Sequence, residues 1–287
     1  MTFRTSAAFS LELCGERIEP NRCPVRRLAQ TSSGRRSQPR PFTRINLNNW
    51  SNHLGSRHSL SRIGQDSNKG SLNMGLDATH PTLLTLTELL PQAKVCGGSF
   101  AHWLPHPKRV PLDQRESTFK SAFDNAVAEC LQEVVSHIGL EPGTQIPRAR
   151  DGRRLWPVGY VGSLTHKGTV VLGAVALKAV LGSLGIDLER LGESPMKGLG
   201  KNVSPEGLPM QIHPHAGTLL AFSAKEAVFK ALYPTHPTRL GHQDIRLRWT
   251  PPIENRHEAV ADSPGFQSFR VQCRVMQDWI VSAATPL

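Results

Sequence analysis

Apolar residues recur at steps of three and four along residues 117–138, the spacing of one face of an α-helix. The residues of this face are Phe119, Phe123, Val127, Leu131, Val134, Val135 and Ile138. Gly139 follows as a C-cap. A second helix is predicted from Phe222 to Tyr233, with Ser223 as its N-cap and Glu226 at the third helical position, a capping-box arrangement.

Short stretches rich in β-branched and apolar residues predict strands between and after these helices. The predicted strands are Val158–Thr165, Thr169–Leu177, Leu184–Glu189, Asp244–Trp249, Phe266–Val275 and Trp279–Ala283. Residues 191–217 contain many Gly and Pro and predict a long surface loop. A helix with short strands therefore occurs twice along the chain, without a visible sequence repeat.

The first quarter of the chain has a different composition. Residues 1–73 contain 12 Lys and Arg against 4 Asp and Glu, a formal charge of +8, whereas the remaining residues carry +3 of the total of +11. They show no sustained helical or strand period, so we expect a disordered basic extension. It is either an arm for an acidic partner such as nucleic acid or an upstream extension of a protein that starts at Met74.

The rest of the composition excludes several classes of protein. The five cysteines are scattered without a CxxC pair, which argues against a disulfide framework and a zinc site. No run approaches the ~20 apolar residues of a membrane span, and the first residues lack the apolar core of a secretory signal. We expect a soluble, cytoplasmic protein.

Two acidic residues share one side of a predicted strand. Asp187 and Glu189 alternate with Ile186 and Leu188, so both carboxylates point away from the core. Adjacent carboxylates repel each other unless a cation lies between them, and Mg²⁺ takes oxygen ligands while it keeps positions for substrate phosphates. The alternative is the ordinary polar face of a half-exposed strand.

The second helix carries Lys225, Glu226 and Lys230. Glu226 could be a third metal ligand or the base for an incoming hydroxyl, and the two lysines could neutralise phosphate oxygens. Alternatively, Glu226 and Lys230 form an exposed ion pair four residues apart, or Glu226 caps the helix. His166, at the end of a strand and before a Gly turn, has either a structural role or a phosphate-binding role.

In order along the chain, these motifs resemble the 4′-phosphopantetheinyl transferases, in particular the branch found with enterobactin and other siderophore synthases. The motifs are RRLWPVGYVGSLTH, GTVVLGAVA, LGIDLE, FSAKEAVFKALYP and the late DWIVSAA, and the resemblance covers residues 110–285. Such enzymes transfer the phosphopantetheine arm of coenzyme A to a serine of a carrier protein and release adenosine 3′,5′-bisphosphate. The implied partner is an acyl, aryl or peptidyl carrier domain of a siderophore or nonribosomal peptide synthase.

The resemblance implies an α+β fold of two similar subdomains, each a helix packed on a small antiparallel sheet, with the active site in the cleft between them. The corresponding division is an extension over residues 1–73, an N-terminal subdomain over 74–182 and a C-terminal subdomain over 183–287. Such a duplicated architecture suits a monomer.

The resemblance also implies roles for single residues. Asp187, Glu189 and Glu226 match the magnesium-binding acids, and Glu226 is also the expected base for the serine hydroxyl. Lys225 and Lys230 match contacts to the pyrophosphate of coenzyme A, and Lys230 is counted with Glu226 as catalytic. His166 matches the histidine near the nucleotide 3′-phosphate.

One stretch departs from the resemblance. This branch usually carries arginines in its first long helix for the nucleotide phosphates, and those positions hold Ala128 and Gln132 here. Cationic residues that could compensate are Lys120, Arg148, Arg150 and Arg153, of which Arg153 is assigned to cofactor binding. The alternative function is therefore a catalytically weak relative that binds carrier protein or nucleotide; nucleic-acid binding through the basic extension is the third candidate.

Overall fold

Helices and antiparallel strands make up the part of the chain that the structure describes. This computed structural model describes residues 75–192, 199, 203, 214–234 and 240–287. The α-helices within them are α1 (Pro81–Leu89), α2 (Arg115–His137), α3 (Lys178–Leu181) and α4 (Pro214–Leu232). The strands are β1 (Lys94–Ser99), β2 (Tyr160–Lys167), β3 (Val170–Leu177), β4 (Gly185–Arg190), β5 (Arg246–Trp249), β6 (Arg256–Asp262), β7 (Phe269–Val275) and β8 (Trp279–Pro286).

The strands form two antiparallel sheets, each covered by a long helix. The first sheet has the order β1-β3-β2 and the second β4-β8-β7-β6-β5. Buried apolar residues of α2 pack on the first sheet, and those of α4 pack on the second. The predicted α+β fold, with helices packed on small antiparallel sheets, is therefore confirmed. The division at residues 182 and 183 stays a prediction. None of the described helices has the length and apolar character needed to cross a membrane.

The two sheets meet where their edge strands β2 and β4 run beside each other. The backbone N–H of Ile186 in β4 donates to the Ser163 hydroxyl of β2 at 3.0 Å. A third buried cluster fills the space between β3, β4, β8 and α1, and its centre includes Leu86, Leu172 and Leu188. These apolar contacts hold β2 and β4 beside each other. As a result, polar side chains of the two strands come into contact.

The prediction for α4 was wrong at its N-terminus. The helix begins at Pro214, so Ser223 lies in its interior and is not an N-cap, and Glu226 is not at the third position. Leu219 and Leu220 extend the apolar face by one turn, and proline is tolerated in a first helical turn. The buried Ser223 hydroxyl instead donates across to the Ser282 hydroxyl of β8 at 2.9 Å.

Other boundaries shift by a few residues, and four of the described elements were not predicted: the strands β1 and β6 and the helices α1 and α3. β2 begins two residues later than expected, which leaves Val158 fully exposed. The sequence of β1, KVCGGS, has little β propensity because it contains two glycines. Gly97 is needed there, since a Cβ atom would lie 2.1 Å from the carbonyl oxygen of Val171. The predictions for residues 1–73, for a start at Met74 and for most of the 191–217 loop lie outside the described residues.

Helix α4 approaches β4 so closely that Gly185 has no room for a side chain. A Cβ atom at Gly185 would lie 1.9 Å from the carbonyl oxygen of Ala227. We therefore expect Gly185→Ala to lower the free energy of unfolding by about 1–3 kcal/mol, the usual cost of overpacking, in urea denaturation. Gly75→Ala is the control, because its Cβ would meet only the Glu129 carboxylate at 3.4 Å. Equal stability of the two variants would contradict this close packing.

Candidate active site

Polar side chains from β2, β4 and α4 converge at the junction of the two sheets. Along β2, Thr165 and Lys167 lie on the face toward β4. Along β4, Asp187 and Glu189 alternate with the fully buried Ile186 and Leu188, as the sequence predicts, but both carboxylates are themselves buried. Asp187 and Glu189 therefore lie on one side of β4, as predicted. The alternative, that they form the polar face of a half-exposed strand, does not apply because both are buried.

Lys230 of α4 is the centre of this cluster. Its ammonium group donates to the Asp187 carboxylate at 2.6 Å, to the Ile186 carbonyl at 3.1 Å and to the Thr165 hydroxyl at 3.2 Å. These bonds use the three protons of an ammonium group. Burial alone lowers the pKa of Lys230, but the charges of Asp187 and Glu226 outweigh it and raise the pKa above its ordinary value. Lys230 is therefore a fixed positive charge.

Asp187 retains a carboxylate oxygen for another ligand. Its Oδ1 binds Lys230 and Thr165, whereas its buried Oδ2 has no hydrogen-bond partner in the part of the chain that the structure describes. A buried carboxylate oxygen without a partner is costly and suits a hard cation, because Mg²⁺ is usually held by one or two carboxylates together with substrate phosphates. The described residues contain no group of three His, Cys, Asp or Glu side chains arranged to hold a metal, so the predicted acids Asp187, Glu189 and Glu226 do not come together as a three-acid site. The donor set thus fits a cation that takes further ligands from a substrate.

Glu189 pairs with Lys167, whose ammonium lies 2.7 Å from Glu189 Oε2. Burial and the neighbouring charge of Asp187 raise the pKa of Glu189 to about 7, although Lys167 and Lys230 act in the opposite direction. Glu189 therefore keeps a proton to a higher pH than an ordinary glutamate, even with two lysines beside it.

Glu226 of α4 faces a histidine that the sequence analysis did not identify. His242 Nε2 lies 2.8 Å from Glu226 Oε1. Burial raises the pKa of Glu226, but the hydrogen bond from His242 and the charge of Lys230 lower it more, so the carboxylate is ionised at neutral pH. The neighbouring Lys225 is almost fully buried and donates to the His242 carbonyl at 3.0 Å.

These contacts modify the predictions for the helix residues. Glu226 pairs with His242, and Lys230 pairs with Asp187. The alternative of an exposed ion pair between Glu226 and Lys230 is therefore replaced by two pairs that link α4 to other elements. Lys225 lies on the helix face toward His242, and a contact to phosphate would need this buried ammonium to change its partner.

His166 lies on the opposite face of β2 from Thr165 and Lys167. His166 is exposed, and one side of its ring packs on Phe123 of α2 at a centroid distance of 4.6 Å. Desolvation by its surroundings and repulsion by Lys230, Lys167 and Arg148 lower the pKa of His166 to about 4. The imidazole is therefore neutral at neutral pH, with several cations nearby.

The connector before β2 supplies the arginines proposed to compensate for the departures in α2. Arg148 is close enough to repel the protonated form of His166. Arg153 donates to the Pro234 carbonyl at 2.9 Å, just after α4, and pairs with Asp151. Gln132 does not replace an arginine in function, because its amide binds the backbone of Gly143 and Thr144.

Thr165, Lys167 and His242 were missed as members of this site. Strand alternation was the available signal for the first two, because residues on either side of His166 must share the other face of β2. No comparable signal exists for His242, which reaches Glu226 through the fold and not through a sequence spacing.

Comparison with curated proteins finds similarity to 4′-phosphopantetheinyl transferases. The enzyme Svp of Streptomyces mobaraensis is 37% identical over 131 residues, 44% of this chain and 53% of that protein. PptT of Mycobacterium tuberculosis is 28% identical over 151 residues, 50% and 64% of the two chains, and Npt of Nocardia iowensis is 35% identical over 122 residues, 41% and 54%. The matched segments thus span between about half and two thirds of these relatives. No family model matches the chain.

The raised pKa of Glu189 predicts a pH-dependent contribution to stability. In EDTA, the folded protein keeps the Glu189 proton up to about pH 7, whereas an ordinary Glu loses it near 4.5. The stabilisation by this proton is complete below pH 4.5 and is lost as the pH rises through 7. We expect the free energy of unfolding of the wild type, relative to Glu189→Gln, to fall between pH 4.5 and 7 in urea denaturation. A difference that does not change with pH would contradict this. The exposed Glu116→Gln is the control, and its free energy of unfolding should change with pH in parallel with that of the wild type.

Proposed function

We propose that this protein is a 4′-phosphopantetheinyl transferase, which moves the phosphopantetheine group of coenzyme A to a serine of a carrier protein. The observation that carries the proposal is the part-buried Lys230 ammonium between β2, β4 and α4, beside the Asp187 Oδ2 that has no hydrogen-bond partner among the described residues. Similarity to three transferases of this activity supports it. A site of fixed cations and carboxylates suits phosphoryl transfer, which depends on positioning and charge stabilisation more than on covalent catalysis.

In the proposed reaction, the carrier serine attacks the β-phosphorus of coenzyme A. Glu226, ionised in the folded protein, accepts the proton of the serine hydroxyl as the oxygen forms its bond to phosphorus. The bond from that phosphorus to the bridging oxygen breaks, and the electron pair leaves with adenosine 3′,5′-bisphosphate. Lys230 stabilises the charge that develops on the phosphate oxygens.

The proposed cation is Mg²⁺, held by Asp187 and Glu189 together with oxygens of the substrate. Glu226 is the third acid that the resemblance implies, although the described residues do not bring the three acids together as a metal-binding group. When bound, it would neutralise charge on the pyrophosphate and act as a Lewis acid. Asp187 Oδ2 offers a buried oxygen without a partner among the described residues, and Glu189 lies beside it, where burial and the charge of Asp187 raise the pKa of Glu189 to about 7.

Coenzyme A would contact both faces of the end of β2. The pyrophosphate would lie near Lys230 on the face toward β4, with Lys225 as a further predicted contact. The nucleotide 3′-phosphate would lie near His166 on the face toward α2, where Arg148 contributes positive charge. Arg153 is the remaining predicted contact to coenzyme A. It lies on the connector before β2, and its hydrogen bond to Pro234 joins this connector to the end of α4.

The protein partner is proposed to be an acyl, aryl or peptidyl carrier domain, with the siderophore or nonribosomal peptide type favoured by the resemblance in the motifs. We also propose that the enzyme acts in the cytoplasm as a monomer. A second candidate, a weak relative that binds nucleotide or carrier protein, is favoured by Ala128 and by the structural role of Gln132. Nucleic-acid binding would need residues 1–73, which lie outside the described chain.

Mass spectrometry of an apo carrier protein tests the transfer directly. With coenzyme A and Mg²⁺, we expect the carrier to gain one phosphopantetheine, and Glu226→Ala to remove the gain because the base is lost. Glu116→Ala, an exposed glutamate in the first turn of α2, is the matched control and should retain activity. A folded protein that modifies none of the siderophore, polyketide and fatty-acid carriers would contradict the proposal, and calorimetry with coenzyme A would then test the weak-relative alternative.

Removal of the metal tests the role of the β4 acids. We expect EDTA to abolish transfer and Asp187→Asn to raise the Mg²⁺ concentration needed for half-maximal activity by at least about tenfold, because it removes a direct ligand charge. Calorimetry of Mg²⁺ binding in the presence of coenzyme A should show the same weakening without turnover. Glu258→Gln, an exposed carboxylate on β6, is the control. Full activity in EDTA would exclude the proposed metal site.

A further inference from the structure

The ring of His242 packs against one face of α4. Its ring packs against Phe222 at a centroid distance of 5.2 Å and against Phe229 at 6.5 Å. Between these two aromatic residues along the helix lies Glu226, whose Oε1 is 2.8 Å from His242 Nε2. Residues three and four positions apart share a helix face, so the helix offers two apolar contacts with a carboxylate between them.

The backbone of the same histidine is also fixed to α4. Lys225 donates its buried ammonium proton to the His242 carbonyl at 3.0 Å. The short helical turn His242–Asp244 is closed by the Asp244 carboxylate, which accepts from the Gly241 N–H at 2.7 Å, and by the Asp244 N–H, which donates to the Gly241 carbonyl at 3.0 Å. The imidazole is therefore held from its ring and from its backbone, which leaves it little freedom to turn away from Glu226.

The chemistry of the pair defines the direction of the hydrogen bond. An ionised carboxylate only accepts hydrogen bonds, so Nε2 of His242 must carry the hydrogen. This bond fixes Oε1 of Glu226 and does not involve Oε2. Lys230 lies one helical turn further along α4, and its charge also acts on the Glu226 carboxylate. A general base needs this kind of orientation, because proton transfer requires an oxygen within hydrogen-bond reach of the substrate hydroxyl.

We propose that His242 is a positioning residue for Glu226, which holds the carboxylate in the orientation that accepts the proton of the carrier serine. The inference rests on the proposed function and deepens it. His242 contacts neither the transferred phosphate nor the carrier in this proposal, and it acts only through Glu226.

Transferase kinetics of two His242 variants test this role. His242→Phe keeps an aromatic ring between Phe222 and Phe229 and loses the donor, so we expect kcat to fall by about tenfold to a hundredfold, the effect of a lost hydrogen bond to a charged group. The KM for coenzyme A should stay within about twofold. His242→Gln keeps an N–H donor and should restore kcat to within about threefold of the wild type. His137→Gln, an exposed histidine at the end of α2, is the control.

The double variant with Glu226→Gln separates positioning from general damage. If His242 acts through Glu226, the addition of His242→Phe to Glu226→Gln should lower kcat no further, because coupled residues are not additive. Thermal unfolding followed by circular dichroism checks that each variant is folded. Equal kcat for wild type and folded His242→Phe, or full additivity in the double variant, would overturn the role.

Nitrogen-15 NMR of the imidazole tests the contact without turnover. We expect the His242 ring to carry its hydrogen on Nε2 in the wild type and to change its signal in Glu226→Gln. A ring protonated on Nδ1 alone would overturn the inference. A wild-type protein with the expected signal but no transfer on any carrier would overturn the proposed function, and with it the role, whereas an active wild type with an unaffected His242→Phe variant would overturn the role alone.

Discussion

The ammonium group of Lys230 is the interaction on which the site and the packing around it depend. It comes from α4 and binds Asp187 and the Ile186 carbonyl in β4 and Thr165 in β2, so one charge joins a helix to the edge strands of both sheets. An ion removed from water costs several kcal/mol unless it is well paired. The carboxylates around Lys230 therefore have two roles. They offset the cost of placing this ammonium group between the helix and the strands, and they are available for chemistry.

The charge balance of this cluster explains why a substrate would complete it. Three carboxylates, Asp187, Glu189 and Glu226, face two lysines, Lys167 and Lys230, so full ionisation leaves one negative charge in excess. Burial is the main cause of the raised pKa of Glu189, and repulsion by the Asp187 carboxylate adds to it. A divalent cation would reverse the balance to one positive charge, which suits a phosphate ester. The charges of the site are thus balanced better by a cation and a phosphate together than by either one alone.

The sequence predicts most of the fold because its helices and central strands carry clear periods. It also places Asp187 and Glu189 on one face of β4, since this follows from strand alternation. The start of α4 could not be predicted, because Ser223 satisfies a local capping rule while packing against β8 decides its position in the helix interior. β1 was missed because its two glycines serve close packing rather than strand propensity. His242 depends on tertiary structure, and a local pattern contains no information about it.

The use of both faces of β2 has a consequence for the evolution and engineering of this chain. Its side chains alternate between two tasks, with His166 on the face toward α2 and Thr165 and Lys167 on the face toward β4. The insertion or deletion of a single residue upstream within the strand would exchange the two faces, and every polar group of the strand would lose its partners at once. Within β2, the alternation of side chains between the two faces is therefore as strict a requirement as the identity of the residues.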